Sequence, residues 1–569
     1  MYKHLTVFKK DFLNVIYISF FSFLFCVKLF PTNLLLPSRY QWIFGTGPSI
    51  RDDAGHAIAS LFYSEESWKW PLGAMTSLGG KVAGSIMYFA TSPLFAILFK
   101  LIHSLGVIGP KYQFIGLQIL SGIVLTNCSL YLLCRRLGAK AYSSLVISLT
   151  GILLVEPMIR WTNESLASQF IVIFALLLSL KPSDSLQRAF AWAALIFLAV
   201  GINQYFTPIV LFFILIEFFY LHKKTKKSFI VKSRNMLIGI GTFIISNYIL
   251  GGFVLNALKL STGIGDLKQF SSNLLSFFDS RGMGYTPNLS SQASWESYNY
   301  VGISFTLLIL IYSLMTAYSR FKSFRYPKTA MPLRSAENPG LWWTCSGAFI
   351  CFVISLGPSV QIGPKWILNI PFPSQGLELL STFRALARFS WPAMYLLMGV
   401  AALSLDRIIA FVRIPKLRII TMFLCAVMII GLQGFESAPL IKIMHSIAVA
   451  ETKSNPAVNV DIQRVYNSST AIEVIPPFDG DAAGIPWRLT SDYALNAHLP
   501  LTTWGFFARY DFSTAGKIQS TEVQRFENCR WSPHSLYLVR KIILNSIKCT
   551  VPFEVIQQYP PTWTLIRTN

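Results

Sequence analysis

The sequence predicts a mainly α-helical, polytopic membrane protein with a small extracytoplasmic α/β domain at its C-terminal end. Three observations predict it. Of 569 residues, 53% are hydrophobic and only 13% are charged, where soluble domains run near a quarter charged, and the mean hydropathy is +0.49. Apolar runs of the length that crosses a bilayer, roughly 17–25 residues, recur along the chain. The net charge of +23 is carried mainly by Lys and Arg in short segments between those runs. A basic excess also marks nucleic-acid binders, but the chain has no nucleic-acid-binding motif and no separate basic domain. Membrane lipids are therefore the expected partner, and nucleic acid is not.

The N-terminus carries Lys3, Lys9 and Lys10 ahead of an apolar run over 13–30. The run is long and lacks a small-x-small cleavage site, so it reads as an uncleaved signal anchor. Further runs fall near 113–134, 141–158, 165–180, 188–203, 205–221, 236–256, 300–318, 341–357, 391–405 and 418–434, giving about eleven spans. The stretch 83–107 is also apolar, and charge parity decides its place. If it does not cross, the clusters at Lys3–Lys10, Arg135/Arg136/Lys140, Lys181/Arg188, 223–234, 320–334 and 407–418 all fall on one side, as the positive-inside rule requires. This places the N-terminus in the cytoplasm of a bacterial inner-membrane protein, with segments 31–112, 257–299, 358–390 and 435–569 outside.

Residues 1–434 thus form the transmembrane domain, with a large first outer loop over 31–112, and 435–569 a soluble extracytoplasmic domain. The tail has β-like runs at 471–476 and 535–544 and turn signals at Pro476-Pro477 and Asp479-Gly480-Asp481. Its size suffices for one core. Six cysteines (Cys26, Cys128, Cys134, Cys345, Cys351, Cys425) lie in apolar runs, where a thiol behaves as a small hydrophobe. Cys529 and Cys549 are the two in the tail and pair in an oxidising compartment. No CxxC or Cys/His cluster points to a metal.

Acidic residues are scarce, 26 in all, so Arg51-Asp52-Asp53-Ala54-Gly55-His56 in the first loop stands out. On a helix starting near Asp53, His56 and Ser60 share its face. A carboxylate there can take a proton from a hydroxyl, and an imidazole can orient or share it. On spacing alone the preferred reading is that Asp52 or Asp53 caps a helix over 54–63. Trp68 and Trp70, before Pro71-Leu72-Gly73, read first as interfacial anchors and second as stacking walls for a sugar or lipid. Arg384 and Arg388, four apart before a span, fit a phosphate or pyrophosphate, and equally fit snorkelling to lipid phosphates. Asp279, Glu296 and Asn299 offer contacts to a hydroxylated ligand, or belong to an ordinary amphipathic loop. Trp504-Gly505-Phe506-Phe507-Ala508-Arg509-Tyr510-Asp511 reads mainly as tail core.

A basic start, one span, a long outer loop with an early acidic residue, and a second span ending Leu132-Leu133-Cys134-Arg135-Arg136-Leu137-Gly138 resemble the C-class glycosyltransferase superfamily. The chain more closely resembles an uncharacterised family of bacterial membrane proteins. That likeness rests on Asp53, His56, Leu61-Phe62-Tyr63, Trp68-Lys69-Trp70-Pro71-Leu72-Gly73, Ser92-Pro93-Leu94 with Lys100, and Gln113-Phe114-Ile115-Gly116. It continues at Asn273-Leu274-Leu275, Tyr298-Asn299-Tyr300-Val301-Gly302, Phe383-Arg384-Ala385 and Phe507-Ala508-Arg509-Tyr510-Asp511.

The resemblance implies an inverting glycosyltransferase. A sugar would pass from a polyprenyl-phosphate donor to an envelope glycan, lipid or protein acceptor, with Asp53 or Asp52 as base and Arg384 and Arg388 on the leaving phosphate. Similar proteins carry an acid just before Ser-Pro-Leu, where this chain has Ala90-Thr91. A divalent metal, which the resemblance would allow, thus has no support in the residues. Two other readings stand beside it. A transporter or flippase would need ionisable groups inside the spans, and the main ones, Lys28, Glu156 and Glu217, lie near span ends. No internal repeat favours it. A non-catalytic envelope assembly protein is the third.

Overall fold

The structure is a computed structural model. It describes residues 2–45, 53–79, 84–89, 92–160, 163–224, 226–253, 267, 270–285, 288–289, 298–325, 338–381, 385–452, 458–477, 487–501, 512–548, 551–559 and 562–568. The chain is mainly helical. Its principal helices are α1 (Tyr2–Leu29), α2 (Asp53–Glu65), α3 (Pro93–Ser104), α4 (Ile115–Arg136), α5 (Ala141–Gly151), α6 (Val155–Arg160), α7 (Phe170–Leu180), α8 (Leu186–Ile202) and α9 (Phe206–Lys224). They continue as α10 (Phe229–Ile249), α11 (Ile303–Arg325), α12 (Leu341–Ser355), α13 (Trp391–Phe411) and α14 (Pro415–Thr452).

Among the described residues, six helical stretches are long and apolar enough to cross a membrane: Asp11–Leu29, Ile115–Arg136, Phe206–Lys224, Phe229–Ile249, Leu386–Phe411 and Pro415–Thr452. The other predicted runs fall on shorter apolar helices. Runs 141–158 and 165–180 are interrupted between Gly151 and Phe170, where Asn163, Glu164, Ser165 and Ser168 break the apolar pattern. Irregular backbone at membrane depth persists only where protein buries it or it lines a cavity. Helix α3 has 12 residues, about 18 Å of rise, well short of a hydrocarbon core of about 30 Å. The run predicted to stop at 434 continues through Pro439 to Thr452.

The basic ends of the helices meet at one end of the bundle. Arg135 Nε lies 3.0 Å from Asp11 Oδ1. The Lys140 backbone N–H donates to Asp406 (2.6 Å), Asn338 Nδ2 donates to the Arg136 carbonyl (2.7 Å), and Arg407 donates to Thr316 Oγ1 (2.9 Å).

Between α12 and α13 lies an antiparallel ribbon of β1 (Ser359–Ile362) and β2 (Lys365–Asn369). The tail contains a four-stranded sheet of β3 (Ile472–Ile475), β4 (Leu536–Arg540), β5 (Phe553–Tyr559) and β6 (Trp563–Thr568), in the order β3-β4-β6-β5. Strands β3 and β4, on the two predicted β-like runs, pair in parallel. Both faces are covered, as parallel pairs require. Ile475, Tyr537, Val539 and Ile566 pack on Phe526 of helix Phe512–Glu527. Ile472, Val474, Leu536, Leu538 and Leu565 join the core that holds Leu78 of the first loop and Tyr493. The Leu501 N–H donates to the Ser77 carbonyl, and the Gly79 N–H donates to the Leu501 carbonyl, each at 2.7 Å. Lys111 Nζ reaches Asp492 Oδ1 at 2.6 Å. The tail and first loop therefore share one core. Cys529 is disulfide-bonded, and Cys549 lies outside the described residues.

Candidate functional site

The predicted helix over 54–63 forms as α2. It buries its Ala54–Tyr63 stretch almost completely and carries His56 inward. His56 Nδ1 lies 2.8 Å from Glu164 Oε2 and 3.0 Å from Oε1, with the two residues 1% and 0% exposed. The carboxylate of Glu164 can accept a hydrogen bond from a proton-bearing Nδ1, which fixes the orientation of the ring. Asp53 opens α2, three residues earlier on the same helical face. The Asp53 side chain and all of Asp52 lie outside the described residues, as do Arg384, Glu296, Ala90, Thr91 and 502–511.

Glu164 sits in a short turn, Glu164–Ala167, within the break between α6 and α7. Gly122 of α4 passes that turn so closely that a Cβ there would lie 2.8 Å from the Ala167 carbonyl carbon. Gly122 is seven residues into α4, so the turn lies about 10 Å along that helix from its Ile115 end. Sequence reasoning missed Glu164 because it falls at the edge of a predicted span. A carboxylate interrupting an apolar run was the signal available.

A polar chain leads from that turn. Ser165 Oγ donates to Asn163 Oδ1 (2.7 Å), Asn203 Nδ2 donates to Ser165 Oγ (2.6 Å), and the Tyr205 N–H donates to Asn203 Oδ1 (3.0 Å). The guanidinium of Arg388 lies 3.8 Å from the centre of the Tyr205 ring. Arg388 is 5% exposed, too buried for a snorkelling residue at a helix end. Arg160, at the end of α6, donates to the Tyr298 carbonyl at 3.5 Å and stands 5.8 Å from the Trp391 ring. Arg281 stands 5.9 Å from the Tyr298 ring. Burial pushes the Arg281 guanidinium below its ordinary range; Asp279 and Tyr298 oppose this, and neighbouring Arg160 adds to it. Burial also raises the Tyr298 phenol well above its usual value.

Asp279 and Asn299 enter the same region. Asp279 is 2% exposed, and its Oδ1 accepts the N–H groups of Arg281 and Leu289, each at 2.9 Å. Asn299 Nδ2 donates to Ser272 Oγ (3.0 Å) and the Ala387 carbonyl (3.4 Å), beside Arg388. Glu436 of α14 closes the cluster, accepting from the Tyr300 hydroxyl and from the Ile303 N–H at 2.7 Å. The Tyr298-to-Gly302 motif ends in Gly302 at φ +89°, a backbone conformation that favours glycine, beside the side chain of Gln433 on α14.

Trp68 and Trp70 contact other residues. Trp68, 42% exposed, stands 4.8 Å from Lys100 Nζ and donates to Ser104 Oγ at 3.3 Å. Trp70, 61% exposed, donates to the Tyr248 hydroxyl at 3.3 Å. Gly73 ends their motif against the Leu250 carbonyl, 1.8 Å from where a Cβ would stand. Among the described residues, no three His, Cys, Asp or Glu side chains gather as a metal site.

A family model described as a domain of unknown function, DUF6311, matches residues 19–436. The chain belongs to the DUF6311 family. The match ends at Glu436, so every cluster residue named above lies within the DUF6311 region and the tail sheet lies beyond it. No curated protein matches the sequence.

Proposed function

We propose that this DUF6311 protein is a membrane glycosyltransferase that moves a sugar from a polyprenyl-phosphate donor to an acceptor hydroxyl on the outer face. One observation carries the reading. The buried His56–Glu164 pair, the buried Arg160 and Arg388 and the half-buried Arg281 belong to one polar cluster, away from the bundle end where the basic loops meet.

In this reading the acceptor oxygen bonds to the anomeric carbon as the bond from that carbon to the phosphate oxygen breaks. The configuration inverts, and polyprenyl phosphate leaves. Asp53, or its neighbour Asp52, takes the hydroxyl proton. His56, fixed by Glu164, positions the acceptor from the same helical face. The arginines stabilise the charge that grows on the leaving phosphate, an effect strengthened where water is excluded. Asp279 and Asn299 contact sugar hydroxyls.

The orientation follows the eleven-span reading, with the N-terminus inside and residues 435–569 as a soluble domain outside. The positive-inside rule supports it, and so does Cys529, whose disulfide suits an oxidising compartment. The likeness to C-class glycosyltransferases is a further support. The test supplies the protein in liposomes with a panel of polyprenyl-phosphate-linked pentoses and hexoses and an envelope extract as acceptor. Label moves from one donor to the extract, with release of polyprenyl phosphate. No transfer from any donor overturns the reading.

A further inference from the structure

The β1–β2 ribbon exposes the wrong residues for water. Every residue of β2 is exposed, including Trp366 (48%), Ile367 (53%) and Leu368 (54%), and Ile362, Ile370 and Phe372 add to the patch. Successive side chains of a strand point to opposite faces, so the ribbon is apolar on both. Among the described residues it has two strands, with a single isolated bridge from Asn273 to Gln361 beside β1, and a two-stranded hairpin is marginal in water. An uncovered patch of this kind marks an interaction surface.

The ribbon is anchored to the candidate site. Asn273 Nδ2 donates to the Gly363 carbonyl (2.7 Å), the Gly363 N–H donates back to Asn273 Oδ1 (3.0 Å), and the Leu274 N–H donates to the Gln361 carbonyl (2.9 Å). Next to Asn273, Ser272 Oγ accepts from Asn299 and donates to the Ala387 carbonyl at 3.5 Å, one residue from Arg388. The apolar surface continues onto α12, where Phe349, Ile350 and Val353 are exposed.

An open strand edge cannot sit in the hydrocarbon core, where its N–H groups would go unsatisfied. It can sit at the boundary between headgroups and acyl chains, where tryptophan is enriched and the exposed Lys365 can reach phosphates. The next stretch, Ile370-Pro371-Phe372-Pro373, has two residues with no N–H to satisfy. We infer that the hairpin over 359–372 is seated in the outer leaflet at that boundary and holds the hydrocarbon chain of a lipid whose phosphate lies at Arg388. Its seating in the leaflet stands alone; the identity of that lipid as the sugar donor rests on the transferase reading.

The test uses full-length protein in liposomes, in a Cys345→Ser background. Nitroxides are placed at Ile367→Cys, at Leu368→Cys and, as an aqueous control, at the exposed tail position Ser520→Cys. Both hairpin labels collide more with oxygen than with a water-soluble nickel chelate, and the control shows the reverse. Greater nickel access at the hairpin overturns the inference, because the ribbon is then in water. Protection from both probes overturns it in favour of a second chain covering the ribbon. The double variant Ile367→Ser/Leu368→Ser separates the donor claim: KM for a long-chain donor rises about tenfold, with kcat and the KM for a short-chain analogue unchanged. An equal effect on both donors overturns the chain-holding role. A wild-type protein that transfers no sugar defeats the transferase reading and leaves the collision result to decide the seating.

Discussion

His56 Nδ1 and Glu164 Oε2 stand 2.8 Å apart across 108 residues of sequence, both side chains sealed from solvent. The contact ties α2 of the first loop to the break between α6 and α7. Glu164→Gln keeps the shape and an oxygen for Nδ1–H but removes the charge. Losing the carboxylate that orients a functional histidine costs about 10–100-fold in metal sites, where it has been compared. We expect sugar transfer to fall in that range while the thermal midpoint in detergent moves by only a few degrees. Transfer at the wild-type rate would show that the pair only packs the loop.

The Arg388 guanidinium lies over the Tyr205 ring, 3.8 Å from its centre. Lysine keeps the charge but loses the planar guanidinium and its two-pronged grip on phosphate. Arg388→Lys should raise the donor KM about tenfold, and Arg388→Gln more. Donor titrations at saturating acceptor measure this, and equal KM values for wild type and Arg388→Gln would remove Arg388 from the phosphate site.

Lys100, 1% exposed, donates to the carbonyls of Tyr63 (2.8 Å) and Ser67 (3.4 Å). Burial pushes its ammonium down to about 8, against the pull of Glu66 and with a push from Lys69. The unfolded chain holds this proton up to about 10.4. Between those values the unfolded state binds more protons, so stability rises with pH. The thermal midpoint should therefore climb from pH 8 towards pH 10 through this group. Lys100→Met should remove that component of the slope. An unchanged slope in the variant would contradict the assignment.

In the tail, Arg525 grips Glu473, which is 2% exposed, and pairs with Glu522 at 2.8 Å. Glu473 and Glu522 hold the guanidinium above its ordinary range despite the burial. Arg525→Gln leaves a buried carboxylate without its cation, at a cost of about 2–3 kcal/mol, reduced from fully buried pairs because Arg525 is partly exposed. Denaturant unfolding of the full chain, followed by proteolysis of the tail, reads this. A change below about 0.5 kcal/mol, the level of an ordinary surface substitution, would contradict it.

Local patterns carried the legible part of the fold. The first-loop helix and the strands at 472–475 and 536–540 form where residue pattern and β-like composition predict them. The breaks were not legible. Hydropathy marks the apolar runs 141–158 and 165–180 but does not show the short helix and turn between Gly151 and Phe170 that carry Arg160 and Glu164. His56, Arg388, Asp279 and Asn299 were singled out by residue type. Their roles as partners of Glu164, Tyr205, Arg281 and Ser272 are contacts across the bundle that spacing does not encode. The contact of Trp68 with Lys100 is another that spacing does not encode.

The central claim is that the first loop supplies the base for sugar transfer at this cluster. The most direct measurement is the transfer rate of Asp53→Asn in liposomes, beside its thermal midpoint and its affinity for the donor. The account predicts a loss of at least about 100-fold in rate, within the 10²–10⁴ range of a general base, with midpoint and donor affinity close to wild type. Transfer within twofold of wild type would contradict it.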